Sequence, residues 1–84
     1  MPKITVYTTN YCPYCDAAKA FFQRKNLPFT EVDVSDHAKK AELKARTGWR
    51  TVPQIFIGDE MIGGYQELMA MAVNGELESR LKAK

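Results

Sequence analysis

Only two residues separate the two cysteines of this chain, in the sequence Cys12-Pro13-Tyr14-Cys15. A disulfide between such close neighbours closes a very short loop, so it removes little entropy from the unfolded chain. Structural cross-linking is therefore a poor explanation of the pair. Reactivity is a better one, and it requires a local fold in which one sulfur is held as a thiolate.

The residues around the motif predict such a fold. Lys3 to Thr8 alternates polar and apolar positions, which is typical of a strand. Pro13 suits the first turn of a helix, where a missing N–H costs nothing. The helix is expected to end at Asn26 and Pro28. Its apolar stripe, at helical spacing, consists of Tyr14, Ala18, Phe21 and Phe22.

Cys12 is thus expected at a helix N-terminus, with Cys15 one turn inside the helix. Free backbone N–H groups and the positive end of the helix dipole stabilise a thiolate at the first position. Cysteines in such settings titrate at roughly 3.5–7.5 instead of ~8.5. We therefore expect Cys12 to be the nucleophile and Cys15, shielded and less acidic, to be the resolving cysteine.

The rest of the chain predicts an α/β fold of βαβαββα order. A strand–helix–strand unit with a long crossover implies a right-handed parallel pair, and the short turn at Gly58 implies an antiparallel one. The expected result is a four-stranded mixed sheet with helices on both faces, which is the thioredoxin-like arrangement. The elements after the first helix are a strand over 29–34, a helix from Ser35 or Asp36 to about Thr47 stopped by Gly48, a strand over 54–57, a turn over 58–60, a strand over 61–63, a helix from Tyr65 to Asn74-Gly75, and a last helical turn or two over 76–81.

The bulk numbers limit the class of protein. Eighty-four residues make one domain, residues 1–84, with room for a single core. The net charge of +2, with no run of five or six Lys/Arg, argues against nucleic acid as a partner. No segment approaches the ~20 apolar residues that span a bilayer, and the first residues lack the apolar stretch of a signal peptide. We expect a cytoplasmic protein, in a compartment where disulfides are catalytic more often than structural.

The C-x-x-C spacing is also half of a zinc site. Structural zinc takes four ligands, and His37 is the one usual nitrogen donor in the chain. His37 stands in a charged stretch at a predicted helix start, where a surface position is the simpler interpretation. No metal site is expected.

Three motifs in this order resemble the glutaredoxins, above all the short bacterial dithiol members of the third type. They are Cys12-Pro13-Tyr14-Cys15 preceded by Tyr7-Thr8, then the run 51–57 (TVPQIFI), then Gly63-Gly64. The resemblance covers nearly the whole chain. It implies a glutathione-dependent thiol–disulfide oxidoreductase that reduces protein–glutathione mixed disulfides and protein disulfides, with a redox-active Cys12–Cys15 disulfide.

The resemblance also implies a site for glutathione. It makes Val52–Pro53 a cis peptide facing Cys12, with the γ-glutamyl end of the tripeptide near Gly64 and the glycyl end near Arg50. No bound cofactor is expected, and glutathione serves as the reducing cosubstrate. Besides glutathione, the expected partners are disulfide-containing or glutathionylated proteins. The protein itself is expected to be a monomer. The glutathione-binding residues are then Tyr14, Arg50, Thr51, Val52, Pro53, Gly64, Tyr65 and Gln66.

Two alternatives stay open at this point. One keeps the fold but takes its electrons directly from a thioredoxin reductase. The other is a binding function, in which Cys12 and glutathione hold an iron–sulfur cluster between two protomers. Pro13 argues against the second, because its stiff ring restricts the loop and Cys15 competes for Cys12.

Overall fold

A computed structural model describes residues 2–48 and 51–82. The order of elements expected from the sequence is confirmed, and the last turns form a helix of their own. The strands and helices are β1 (Ile4–Thr8), α1 (Pro13–Arg24), β2 (Thr30–Asp33), α2 (His37–Thr47), β3 (Gln54–Ile57), β4 (Glu60–Gly63), α3 (Tyr65–Asn74) and α4 (Glu76–Lys82).

The strands form one mixed sheet in the order β2-β1-β3-β4. β1 and β2 are parallel and are joined by the α1 crossover, whereas β3 is antiparallel to β1 and β4 is antiparallel to β3. The β3–β4 turn is one residue shorter than expected, because Glu60 already belongs to β4. The mixed thioredoxin-like sheet is confirmed.

The hydrophobic core lies on one face of this sheet. Ile4 and Val6 point to that face, since successive side chains of a strand alternate between faces. In the register of β1 and β3 they stand opposite Ile57 and Ile55. Burying each large apolar side chain contributes about 1.5–3 kcal/mol. The helices cover this face with Ala18, Phe21 and Phe22 of α1, Leu68 and Met71 of α3, and Leu77 and Leu81 of α4.

The opposite face carries α2. Tyr7, the residue after Val6 in β1, points away from the core and meets Phe56 edge-on at 5.4 Å between ring centroids. Arg46 of α2 lies over the Tyr7 ring, and its Nη2 donates to the Tyr7 hydroxyl at 3.4 Å. Leu43 is the buried side chain of α2. This helix therefore rests on the sheet through a thin apolar stripe, as its sequence predicts.

Glu31 links α1 to the sheet close to the cysteine motif. The buried Thr8 hydroxyl donates to Oε2 of Glu31 at 2.8 Å, and Nζ of Lys19 lies 3.0 Å from the same oxygen. The hydrogen bond from Lys19, followed by the one from Thr8, lowers the pKa of Glu31 from its usual 4.5. The same pairing with Glu31 raises the pKa of Lys19 above 10.5. The end of β1, the edge strand β2 and the second turn of α1 are thus joined at one carboxylate.

Within residues 2–48 and 51–82, the helices are all too short or too polar to cross a membrane.

The linkage at Glu31 predicts a pH-dependent loss of stability in Glu31→Gln. A carboxylate whose pKa is lower in the folded state than in the unfolded state stabilises the fold fully at pH values above its unfolded-state pKa. This stabilisation is lost as the pH falls through its folded-state pKa. Because the pair is partly exposed, we expect the free energy of unfolding to fall by up to about 1 kcal/mol at pH 7. The difference should shrink as the pH falls from about 5 toward 2. Urea unfolding across this range measures it, with Glu42→Gln on the exposed side of α2 as the control. A difference that is constant with pH contradicts the assignment.

Candidate functional site

Cys12 is the N-cap residue of α1, and its sulfur takes the place of the usual capping oxygen. The backbone of Cys12 is extended (φ −119°, ψ 96°), and its Sγ accepts a hydrogen bond from the backbone N–H of Cys15 at 3.1 Å. Pro13 occupies the first helical position. A sulfur here lies at the positive end of the helix, where backbone N–H groups lack partners within the helix. A helix end of this kind stabilises negative charge placed beside it.

The two sulfurs differ in access to solvent. Cys15 is 1% exposed, in the first turn of α1, whereas Cys12 is only partly buried. The two are joined by a disulfide, so the structure represents the oxidised protein. An incoming thiol or disulfide therefore meets Cys12 first.

Val52 lies against the Cys12 sulfur. Its carbonyl oxygen is 3.7 Å from Sγ, and the Val52–Pro53 peptide is cis, as the resemblance implies. The buried Pro53 leads directly into β3 at Gln54. The sheet thus fixes the position of the Val52 backbone relative to the sulfur.

A cleft of about 380 Å³ opens beside Val52, within the size range of small-ligand sites. Seven of the eight residues predicted to hold glutathione line it, and the eighth, Arg50, lies outside the described residues. Glu67 is an additional lining residue that the sequence analysis did not name. The lining residues are Tyr14, Thr51, Val52, Pro53, Gly64, Tyr65, Gln66 and Glu67.

Glu67 caps the helix that forms the far wall of the cleft. Gly64 is the N-cap residue of α3, and its backbone N–H donates to Oε1 of Glu67 at 2.9 Å. The signal was present in the sequence, because a Glu three residues after an N-cap position is part of the capping-box pattern. Glu67 takes the N–H of Gly64, and the next three N–H groups of the first turn, those of Tyr65, Gln66 and Glu67, have no acceptor within the helix.

Two tyrosines form an aromatic wall across the cleft. The rings of Tyr14 and Tyr65 lie 5.7 Å apart between centroids, with their planes tilted by 34°. Tyr14 is 58% exposed and belongs to α1, while Tyr65 begins α3. The contact joins the helix that carries the cysteines to the helix that carries Gly64 at its N-terminus.

Val52 also borders a second, basic cleft of about 320 Å³ on the α2 side. Its polar lining includes His37, Lys40 and Lys44, with Gln54 from β3. His37 therefore lies on the α2 side of Val52, and among the described residues no three His, Cys, Asp or Glu side chains come together in a way that could hold a metal ion.

The family follows from a comparison with known proteins. The model of the family described as Glutaredoxin matches residues 4–62, which include the cysteine pair, Val52–Pro53 and most of β4. The chain belongs to the glutaredoxin family. The thiol–disulfide chemistry expected from Cys12 and Cys15 is the chemistry of this family.

Full-length relatives support the assignment. The chain is 41% identical over 83 residues to glutaredoxin 3 of Escherichia coli (strain K12), covering 98% of this chain and all of that protein. Among solved structures, it is similar to the glutaredoxin of Brucella melitensis, with a TM-score of 0.84 and 43% identity over 98% of this chain and 90% of the other. It is also similar to a buckwheat glutaredoxin–glutathione complex, with a TM-score of 0.85 and 30% identity over 95% and 76% of the two chains. The expected glutathione-dependent thiol–disulfide oxidoreductase is confirmed.

The wall at Gly63 and Gly64 gives a testable prediction. Gly63 has φ +119°, and a Cβ added there would lie 2.7 Å from Cγ and 2.9 Å from Cβ of Glu67. Gly63→Ala should therefore lower the free energy of unfolding for two reasons. The strained backbone costs about 1–2 kcal/mol, and the displaced Glu67 cap costs about 1 kcal/mol. Gly75→Ala is the matched control, because Gly75 has φ +84° with no atom within 4 Å of an added Cβ. Urea unfolding should show the larger loss in Gly63→Ala, and equal losses would contradict the packing described.

Proposed function

We propose that Cys12 is the nucleophile of this glutaredoxin and that Cys15 resolves the intermediates formed on it. The observation that carries the proposal is the position of the Cys12 sulfur. It caps α1, receives the Cys15 N–H and lies 3.7 Å from the carbonyl oxygen of Val52, which lines the cleft. A thiolate held there attacks a disulfide sulfur directly. The more deeply buried Cys15 reaches only what is already bonded to Cys12.

With a protein–glutathione mixed disulfide, one path uses Cys12 alone. The Cys12 thiolate attacks the glutathionyl sulfur, and the protein leaves as a thiolate that takes up a proton. The thiolate of a second glutathione then attacks the sulfur of the glutathione bound to Cys12, which releases oxidised glutathione and restores the Cys12 thiolate. Cys15 is dispensable on this path.

With a protein disulfide, the second path needs both cysteines. Cys12 forms a mixed disulfide with one substrate sulfur, and the other substrate sulfur leaves as a thiol. Cys15 then loses its proton, and its sulfur attacks the Cys12 sulfur. The second substrate sulfur leaves and takes up a proton, and the Cys12–Cys15 disulfide remains. That disulfide is the state of the structure, and two glutathione molecules reduce it to close the cycle.

The cleft is the proposed glutathione site. The Val52 N–H and C=O would pair with the cysteinyl backbone of the tripeptide, as an added strand pairs with a sheet edge. The γ-glutamyl carboxylate would accept from the first-turn N–H groups at Tyr65 and Gln66, where the helix end favours an anion. Tyr14, and Arg50 outside the described residues, would flank the glycyl end. The solved glutathione complex of the buckwheat relative supports this choice of ligand.

The setting proposed for this chemistry is the cytoplasm, where the glutathione pool keeps thiols reduced. The chain would act there as a monomer of one domain, with glutathione as a cosubstrate instead of a bound cofactor. Its protein partners would be glutathionylated and disulfide-containing proteins.

The assigned roles predict different losses for the two cysteine variants. Cys12→Ser should lower both activities at least about a thousandfold, because the attacking sulfur is gone. Cys15→Ser should keep the reduction of glutathionylated serum albumin within a few-fold and lose the reduction of insulin disulfides. NADPH oxidation coupled through glutathione and glutathione reductase measures both. Equal losses of the two activities in Cys15→Ser would contradict the division of roles.

The reductant is tested in the same assay with the wild-type protein. Replacing glutathione and its reductase by thioredoxin reductase and NADPH should give little turnover. Rapid turnover with thioredoxin reductase alone would contradict the proposal that glutathione is the electron donor.

A further inference from the structure

Tyr11, the residue before the nucleophile, presents its whole ring to solvent. Its exposure is 102% of the reference value, compared with 58% for Tyr14, and Tyr11 lines none of the clefts beside Val52. Single exposed apolar side chains are common on protein surfaces and need no explanation by themselves. The backbone of Tyr11 supplies a second, independent observation.

Tyr11 has φ +53°, in the left-handed region that disfavours residues with a large side chain. Glycine or asparagine would occupy this position at lower cost. Residues in such conformations persist where the surrounding structure holds them, and they cluster at functional sites. The fold therefore keeps a ring at a position where it contributes no packing and where its backbone is strained.

The surrounding structure does hold this loop. The backbone N–H of Asn10 donates to Oγ of Ser35 at 2.9 Å, and the N–H of Ser35 donates to Oδ1 of Asp33 at 2.7 Å. On the other side of Tyr11, Cys12 is fixed as the cap of α1. The ring is thus carried on a short segment anchored at both ends, one residue before the cysteine proposed to react.

We propose that Tyr11 is the contact for the polypeptide chain of protein substrates and that it distinguishes them from small disulfides. The proposal rests on the function proposed above. A folded substrate cannot enter a cleft of about 380 Å³, so it must rest on the rim around Cys12. An aromatic ring on that rim offers a large apolar area with few rotatable bonds, which suits a backbone or an apolar side chain beside the substrate cysteine.

The test uses variants that remove the ring without opposing the backbone. Tyr11→Gly and Tyr11→Asn both suit a positive φ, so neither should lower the Tm. Tyr11→Phe keeps the ring, and Val73→Asn removes an exposed apolar side chain (88% exposed) on α3. The protein probes are insulin and glutathionylated serum albumin, and the small probe is the mixed disulfide of glutathione and 2-mercaptoethanol.

We expect kcat/KM on both protein probes to fall about tenfold in Tyr11→Gly and Tyr11→Asn, the size of a typical aromatic interface anchor. On the small probe these variants should stay within about twofold of the wild type. Tyr11→Phe and Val73→Asn should match the wild type on all probes. The pH dependence of Cys12 alkylation should be the same in every variant, which places the effect in contact and not in the reactivity of the thiolate.

An equal loss on the small probe, unchanged turnover of both protein probes, or a shifted alkylation profile would overturn the proposal. Failure of the underlying function looks different. In that case the wild-type protein itself would turn over none of the three probes with glutathione. If only the proposal for Tyr11 fails, the wild type stays active and the variants lose all activities together or none.

Discussion

The hydrogen bond from the Cys15 N–H to the Cys12 sulfur is the interaction on which the chemistry of this glutaredoxin depends. It places one sulfur at the end of a helix whose N–H groups favour negative charge, and it leaves the other sulfur buried one turn further on. Pro13 sets where that helix begins, because it supplies a fixed φ at a position that needs no N–H donor. The asymmetry between two chemically identical residues is thus a product of helix geometry.

The sheet brings the rest of the site to this sulfur. β3 runs antiparallel to β1, with Tyr7 opposite Gln54, so the residue just before Pro53 lies at the same edge as the loop after β1. β4 runs antiparallel to β3, with Gly63 opposite Ile55, so the start of α3 reaches that edge as well. Three segments that are far apart in the sequence meet because two successive strand pairs are antiparallel. The cleft proposed to bind glutathione is the space between them.

Much of this could be predicted from the sequence, since alternation, helical spacing and turn residues predict the elements and the C-x-x-C motif predicts the reactive helix end. Periodicity does not specify which strand lies beside β1, and the meeting of Val52 with Cys12 came from the resemblance instead. The Glu67 cap follows the capping pattern of a Glu three residues after the N-cap, whereas the sequence analysis predicts only ligand contacts at this helix start. The positive φ of Tyr11 has no signal in the sequence, because a large side chain does not favour this conformation; the neighbouring Asn10 N–H is held by Ser35, which is distant in the sequence.

The most direct test of this account is the pH dependence of the alkylation rate of Cys12 by iodoacetamide, in reduced Cys15→Ser, where the residue 15 N–H is retained. A sulfur stabilised by the helix end should react as a thiolate with a midpoint at roughly 3.5–7.5, as in other cysteines of this setting. A midpoint at about 8.5, the value of a free cysteine, would show that the helix does not hold the anion and would contradict the account.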